Sequence, residues 1–170
     1  IRDWSVTGVQ TCALPISIAR INLFLHNAED FHILKGDTLR DPGFFETDNL
    51  KTFDCVIANP PFSLKDWGSE NWSNDPFGRN NGAVPPEKNG DMAWIQHMVK
   101  SMKSNGRMAI VVPEGVLFRK GNEEKIRKLL LEKDLLETVI GLGPNIFYGT
   151  KLAPCVLVFK NKKLHTKLSK

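Results

Sequence analysis

Short apolar runs alternate with helix-patterned segments along most of this chain. Residues 53–58 (FDCVIA) and 107–113 (RMAIVVP) are typical of buried strands, and two further strands are predicted at 136–140 and 153–159. Asp91 is expected to cap a helix, and after it apolar residues recur at the i, i+3, i+4 and i+7 positions of an amphipathic helix. Strands separated by helices predict a three-layer α/β domain with a mostly parallel sheet. No clear helix separates the last two strands, so we expect the final strand to run antiparallel.

The remaining segments are predicted from their composition and apolar pattern. Ser17 is expected to cap a helix, and residues 31–35 (FHILK) are expected to form a short strand. Because 53–58 is almost continuously apolar, we expect both of its faces to be buried, with Cys55 in the core. Residues 63–90 are rich in Ser, Asn, Gly, Pro and Trp and are predicted to form a long loop. The helix after Ser17 has these apolar positions: Ile18, Ile21, Phe24 and Leu25.

Composition excludes several classes of protein. The chain has 170 residues, of which 41% are hydrophobic and 25% charged, which is ordinary for one globular domain and unlike a disordered, collagen-like or disulfide-rich chain. No apolar run approaches the roughly 20 residues of a membrane-spanning helix, so we expect no membrane partner. Three cysteines without regular spacing fit a reducing cytoplasm, and four histidines without ligand spacing predict no metal site. The net charge of +4 mildly favours an anionic partner such as nucleic acid.

The two ends of the chain differ from its middle. Residues 6–16 (VTGVQTCALPI) resemble the in-frame translation of a sequencing-adapter oligonucleotide, so we expect 1–17 to be a non-native artefact; a genuine N-terminal extension is the alternative. Residues 164–170 are expected to form a basic tail. We therefore expect 18–163 to be a fragment that begins within a domain.

Asn59-Pro60-Pro61-Phe62 follows the 53–58 strand directly, where open α/β sheets bind ligands. Asn59 offers a side-chain carbonyl, and the prolines restrict the turn while leaving backbone carbonyls as acceptors. Phe62 offers a flat face for a nucleobase. This combination suits a site that grips an exocyclic amine; a rigid proline turn with no such role is the alternative.

These residues resemble motif IV of amino-group methyltransferases that use S-adenosylmethionine. Further blocks resemble the HsdM-type modification subunit of type I restriction–modification systems, over residues 18–163. The blocks are GDTL (36–39), DMAWIQHM (91–98), RMAIVVPEGVLFRKG (107–121), KIRKLLLEKDLLETVIGL (125–142) and NIFYGTKLAPCVLVFKNKK (145–163). The resemblance implies a Rossmann-like fold and transfer of a methyl group from S-adenosylmethionine to N6 of an adenine flipped out of double-stranded DNA.

The resemblance also implies residue roles and partners. Asn59, Pro60, Pro61 and Phe62 would be catalytic, and Asp37 and Asn59 would contact the cofactor. Phe147 and Tyr148 would line the base pocket, although core packing is an equal alternative. The implied partners are a specificity subunit, flanked by two modification subunits, and a nuclease subunit.

The family's glycine-rich cofactor loop is not found in the chain, and Gly141-Leu142-Gly143 does not complete such a motif. We therefore expect this fragment alone to bind S-adenosylmethionine poorly and to be inactive. Two other functions stay open. One is an amino-methyltransferase acting on a protein glutamine or on ribosomal RNA, and the other is a non-catalytic scaffold or binding module.

Trp67, Trp72 and Phe77 lie in the 63–90 segment with Arg79 and Lys88. A surface that contacts DNA or a partner subunit and a merely mobile loop are both compatible with this composition.

Overall fold

A computed structural model describes residues 13–28, 30–80, 82–147 and 152–161. The chain forms two compact units, Ile1–Leu50 and Lys51–Lys170. The helices and strands are α1 (Ala13–Leu25), β1 (Phe45–Glu46), β2 (Asn49–Leu50), β3 (Phe53–Ala58), α2 (Ser69–Trp72), α3 (Asp91–Lys100), β4 (Met102–Pro113), a 3-10 helix (Glu114–Leu117), α4 (Asn122–Glu132), β5 (Leu136–Gly141) and β6 (Pro154–Lys160). Within the described ranges, no helix has the length and apolar character needed to cross a membrane.

The first unit contains α1 and the two-stranded antiparallel ladder of β1 and β2. The predicted cap at Ser17 is wrong, because α1 begins at Ala13 and crosses the 17/18 boundary. Pro15 does not prevent this, since a proline in the first helical turn removes an N–H that has no intrahelical partner. The expected apolar stripe of this helix does not form a buried face: Phe24, for example, is 75% exposed.

The predicted strand at 31–35 is wrong. These residues have no regular secondary structure, and they pair with no strand in the part of the chain that the structure describes. A β-rich run forms a ladder only when a neighbouring strand accepts and donates its backbone hydrogen bonds. The run leads into a turn in which the Asp41 N–H donates to the Asp37 carbonyl oxygen over 2.6 Å.

The second unit is built on a four-stranded sheet with the order β3-β4-β6-β5. β3 and β4 pair in parallel, and β6 lies antiparallel to both β4 and β5. Three strands therefore share one direction, and the final strand in sequence is inserted between two of them in the opposite direction. This confirms the predicted α/β sheet with an antiparallel last strand, and the sheet is mixed, because among the described strands only β3 and β4 pair in parallel.

One face of this sheet is closed, and the other is exposed at β3 and half-buried on the middle strands β4 and β6. The closed face is formed by cross-strand pairs of β4 and β6 that are all buried: Met108 with Phe159, Ile110 with Leu157, and Val112 with Cys155. On β3 only Val56 is buried, while Ile57 is 76% exposed and Cys55 is exposed. The prediction that β3 is buried on both faces, with Cys55 in the core, is therefore wrong.

The 63–90 segment is a folded structure rather than a loose loop. Trp67 and Trp72 are each 1% exposed, and their rings meet edge to face with centroids 5.0 Å apart. Trp72 Nε1 donates to Gln96 Oε1 of α3 over 2.9 Å. The Arg79 guanidinium lies 4.3 Å from the centroid of the Trp72 ring. These tryptophans and Arg79 are therefore interior groups and do not form an exposed surface for DNA.

Candidate active site

The Asn59-Pro60-Pro61-Phe62 turn leaves the sheet at the carboxyl end of β3. β4 runs parallel to β3 and ends on the same side of the sheet, at Pro113. Pro60 is buried, whereas Asn59 and Pro61 are exposed and Phe62 is partly buried. Among the described residues, no hydrogen bond involves the Asn59 side chain, so its amide oxygen and nitrogen are free to meet a ligand. The turn therefore has the location that the sequence predicted.

Backbone hydrogen bonds connect the neighbouring segments at this edge. The Glu114 N–H, just after β4, donates to the Ala153 carbonyl oxygen over 3.1 Å. The Leu142 N–H, just after β5, donates to the Pro154 carbonyl oxygen over 2.9 Å. Gly141 ends β5, Leu142 and Gly143 have no regular secondary structure, and the chain turns at residues 144–145.

Phe62 and Phe147 are brought together by the fold. Their ring centroids are 6.0 Å apart and their planes meet at 88°, which is an edge-to-face contact. Such pairs add about 0.5–1.5 kcal/mol beyond the burial of their area. The contact places Phe147 beside the turn, while Tyr148 lies outside the described residues.

The turn ends at a residue with an unusual backbone conformation. Ser63 has φ = 52°, in the left-handed region that L-residues rarely adopt. Its N–H donates over 2.7 Å to Oδ1 of Asp91, the first residue of α3. We expected Asp91 to cap this helix, but the cap position is Gly90 and the Asp91 side chain instead reaches the turn.

A charged network continues from Asp91, which is 2% exposed. Arg119 Nη1 donates to Asp91 Oδ2 over 2.9 Å and to Glu123 Oε1 over 3.2 Å. Burial by itself would lower the pKa of Arg119, but the hydrogen bond to Asp91 and the charge of Glu123 outweigh burial and raise it. Burial raises the pKa of Glu123 despite the opposing charge of Arg119. Arg119 and Glu123 have the i, i+4 spacing of a local ion pair, but no local sequence signal indicates the contact of Arg119 with Asp91, 28 residues away.

A second buried cluster joins the 63–90 segment to α3. Asp75 accepts hydrogen bonds from Arg79 through both carboxylate oxygens, and Arg79 Nη1 lies 3.4 Å from His97 Nδ1. Burial, and then the charge of Arg79, lower the pKa of His97 to about 3. His97 is therefore neutral at physiological pH.

Asp37 belongs to the first unit. Its Oδ1 accepts hydrogen bonds from the backbone N–H groups of Leu39 and Arg40, each over 3.1 Å. Its Oδ2 lies 3.5 Å from Arg40 Nε. A carboxylate has about four acceptor positions, so these contacts orient Asp37 and leave it capacity for a further donor.

Comparison with known proteins identifies the family. Residues 1–169 match the N-6 DNA methylase family. The chain belongs to this family. A relative from Methanocaldococcus jannaschii, the type I restriction enzyme MjaVII methylase subunit, is 35% identical over 153 residues, which cover 85% of this chain and 25% of the relative.

Solved structures of similar proteins agree with the family and the fold. The methyltransferase subunit of a type I restriction–modification system from Streptococcus thermophilus is 36% identical and superposes with a TM-score of 0.81, over 92% of this chain and 34% of that one. A class I S-adenosylmethionine-dependent methyltransferase from Listeria monocytogenes, 18% identical with a TM-score of 0.67 over 96% of this chain and 46% of that one, shares the fold. Together with the mixed sheet, these likenesses confirm the predicted Rossmann-like methyltransferase fold.

This N-6 DNA methylase chain spans only part of the proteins it matches, about a quarter of the M. jannaschii relative and a third of the S. thermophilus chain.

Proposed function

We propose that this chain is part of the modification subunit of a type I restriction–modification system, which methylates N6 of adenine in double-stranded DNA. The observation that carries the proposal is the Asn59-Pro60-Pro61-Phe62 turn at the carboxyl end of β3, with an exposed Asn59, in a chain of the N-6 DNA methylase family. The names of the M. jannaschii and S. thermophilus relatives support the assignment to a type I system.

In the proposed reaction, the turn holds the adenine amine by its two hydrogens. Asn59 Oδ1 and the Pro60 carbonyl oxygen each accept one N–H, which draws the nitrogen towards the tetrahedral geometry of its attack. S-adenosylmethionine would supply, when bound, an electrophilic methyl group whose bond to sulfur breaks as the bond to nitrogen forms, and the methylated nitrogen would release one proton to solvent. The catalytic contribution of the chain is therefore positioning and electrostatic stabilisation, and neither a covalent intermediate nor a strong base is needed.

The aromatic residues hold the flipped base. The exposed face of Phe62 would stack on the adenine ring, because base–aromatic stacking contributes about 1–3 kcal/mol per base. Phe147 meets the Phe62 ring edge to face and so restricts its rotation. We assign Tyr148 to the same pocket on the resemblance alone.

Two side chains suit the cofactor chemically. Asp37 has a carboxylate oriented by two backbone N–H groups, with acceptor capacity left for the amine of the cofactor's adenine. Asn59, with its free amide, would contact the cofactor beside the reacting amine. A role of Asp37 restricted to its own turn is the alternative.

The proposal includes the partners and the limits of this chain. A specificity subunit would select the DNA sequence between two modification subunits, with a nuclease subunit in the larger complex, in the cytoplasm. We also propose that residues 1–17 are not native, that 18–163 form a partial catalytic domain with a basic tail at 164–170, and that the 170-residue chain is inactive alone.

The experiment uses the complete modification subunit with its specificity subunit. Asn59→Ala removes the amide that would grip the amine, and we expect methyl transfer to fall at least about a hundredfold, as for removal of one transition-state hydrogen bond. Asn74→Ala is the matched control, since Asn74 is an exposed asparagine in the 63–90 segment. Transfer of a radioactive methyl group to duplex DNA, ribosomal RNA and protein acceptors is measured in parallel.

Each result has a defined meaning. Loss of DNA methylation in Asn59→Ala, with complex assembly intact and Asn74→Ala active, supports the proposal. Unchanged activity in Asn59→Ala would favour the scaffold alternative. Methylation of RNA or protein in preference to DNA would favour the other amino-methyltransferases.

A further inference from the structure

We propose that Asp91 is a positioning residue for methyl transfer, which acts by fixing the backbone of the Asn59-Pro60-Pro61-Phe62 turn through the Ser63 N–H. The inference rests on the proposed function of that turn. Asp91 does not touch the reacting atoms; it holds the residue that follows the four predicted site residues.

The geometry at Ser63 explains why the turn needs such a contact. A non-glycine residue with positive φ carries a conformational cost and persists only where its surroundings hold it. The contact that holds Ser63 is the 2.7 Å hydrogen bond to a carboxylate that is almost fully buried. Hydrogen bonds to an ionised acceptor are shorter and stronger than neutral ones. The start of α3 therefore determines where the turn ends.

Two further contacts hold Asp91 itself in place. The Asp91 N–H donates to Asn89 Oδ1 over 3.0 Å, and Arg119 Nη1 donates to Asp91 Oδ2 over 2.9 Å. One step earlier, the Gly90 N–H donates to the Leu64 carbonyl oxygen over 2.8 Å, so the turn and the helix start are joined at two successive positions. The two Asp91 oxygens have different donors: Oδ1 accepts from the Ser63 N–H, and Oδ2 accepts from Arg119.

This arrangement predicts a specific kinetic defect. Small misplacements of a reacting group cost about a hundredfold in rate even when binding is intact. Releasing Ser63 should let the Asn59 and Pro60 oxygens shift from the positions that suit the amine. We therefore expect kcat to fall while KM for DNA and for S-adenosylmethionine changes little.

The test compares two substitutions of Asp91 in the complete subunit with its specificity subunit. Asp91→Ala removes the acceptor, and we expect kcat to fall about a hundredfold with both KM values within about threefold of the unsubstituted enzyme. Asp91→Asn keeps an acceptor oxygen for Ser63 but loses the charge, so we expect a loss of about three- to tenfold in kcat. The conservative variant also keeps the test valid if Asp91→Ala fails to fold.

Asp75→Ala is the matched control. Asp75 is also a buried carboxylate paired with an arginine, Arg79, but its contacts lie in the cluster around His97 and not at the turn. We expect Asp75→Ala to lower thermal stability, as we also expect of Asp91→Ala. The kcat of Asp75→Ala per folded enzyme should stay within about threefold of that of the unsubstituted protein.

The inference is overturned if Asp91→Ala, or Asp91→Asn where only that variant folds, keeps full kcat. It is also overturned if Asp75→Ala loses as much kcat as Asp91→Ala. These failures differ from failure of the proposed function, in which Asn59→Ala itself would keep full activity.

Discussion

Gln96 and His97 are buried on α3, and each meets a partner of matching chemistry. Gln96 accepts from Trp72 Nε1 and donates to the Ala83 carbonyl oxygen over 3.1 Å. His97 lies against Arg79, which can only donate, so the facing His97 Nδ1 must be an acceptor and the ring must be neutral. The protonation state of His97 therefore contributes to the stability of the second unit.

The depressed pKa of His97 predicts a loss of stability in mild acid. Because the folded value is about 3 and the ordinary value 6.5, the unfolded state binds the proton first as pH falls. The free energy of unfolding should decrease below about pH 6.5, by up to about 1.4 kcal/mol per pH unit. Urea denaturation of the 170-residue chain at pH 7.5, 6 and 5 measures this slope.

His97→Gln should lower stability at pH 7.5 but remove most of that slope between pH 6.5 and 5. His32→Gln is the control, because His32 is exposed. An unchanged slope in His97→Gln would show that another group takes up the proton.

At the scale of elements, α3 and the 63–90 segment form one packed structure. Trp67 contacts Trp72 and donates through Nε1 to the Pro86 carbonyl oxygen over 2.9 Å. The Gly90 position is tight, since a Cβ there would lie 3.0 Å from Trp67 Cγ. Such burial of aromatic side chains explains how a stretch rich in loop-forming residues acquires a fixed conformation that supports the turn at Ser63.

Two tryptophans of this structure differ in their hydrogen bonding, which allows a matched test. Trp72 Nε1 has Gln96 as its acceptor, whereas Trp94 Nε1 is buried and has no partner in the described part of the chain. Trp72→Phe leaves Gln96 Oε1 without its donor, and we expect it to cost about 1–3 kcal/mol more than Trp94→Phe. Urea denaturation of both variants gives the comparison, and equal costs would contradict it.

For the whole molecule, the sheet of the second unit has one closed face and one face that is open at β3. Val56 and the alternate residues of β4 and β6 face the closed side, while Ile57 faces the open side. β3 is also an edge strand within the described residues. An exposed apolar residue on an edge strand invites association, so we expect this face to contribute little to stability and much to aggregation.

A pair of substitutions measures the difference between the faces. Ile110→Thr on the closed face should cost a few kcal/mol, because it removes buried apolar volume and buries a hydroxyl. Ile57→Thr should cost less than about 1 kcal/mol and reduce aggregation, since threonine keeps the β-branch on an exposed position. Urea denaturation and light scattering of the 170-residue chain measure both effects; equal costs would mean that this face is covered.

The sequence alone was sufficient for features that depend on local pattern. The bounds of β3 were predicted correctly, and β5 and β6 agree to within a residue at each end. The position of Asn59-Pro60-Pro61-Phe62 after β3 was predicted from the same pattern. Strand periodicity and proline turns both depend on residues that are adjacent in sequence.

Only the tertiary structure decided which patterned residues find partners. The 31–35 run is as β-rich as a strand but pairs with none in the described chain, and Cys55 lies in an apolar strand yet is exposed. Trp67 and Trp72 lie in the core, and Asp91, predicted as a helix cap, instead accepts a hydrogen bond from the Ser63 N–H. Backbone pairing, burial and long-range hydrogen bonds depend on residues distant in sequence, so no local pattern specifies them.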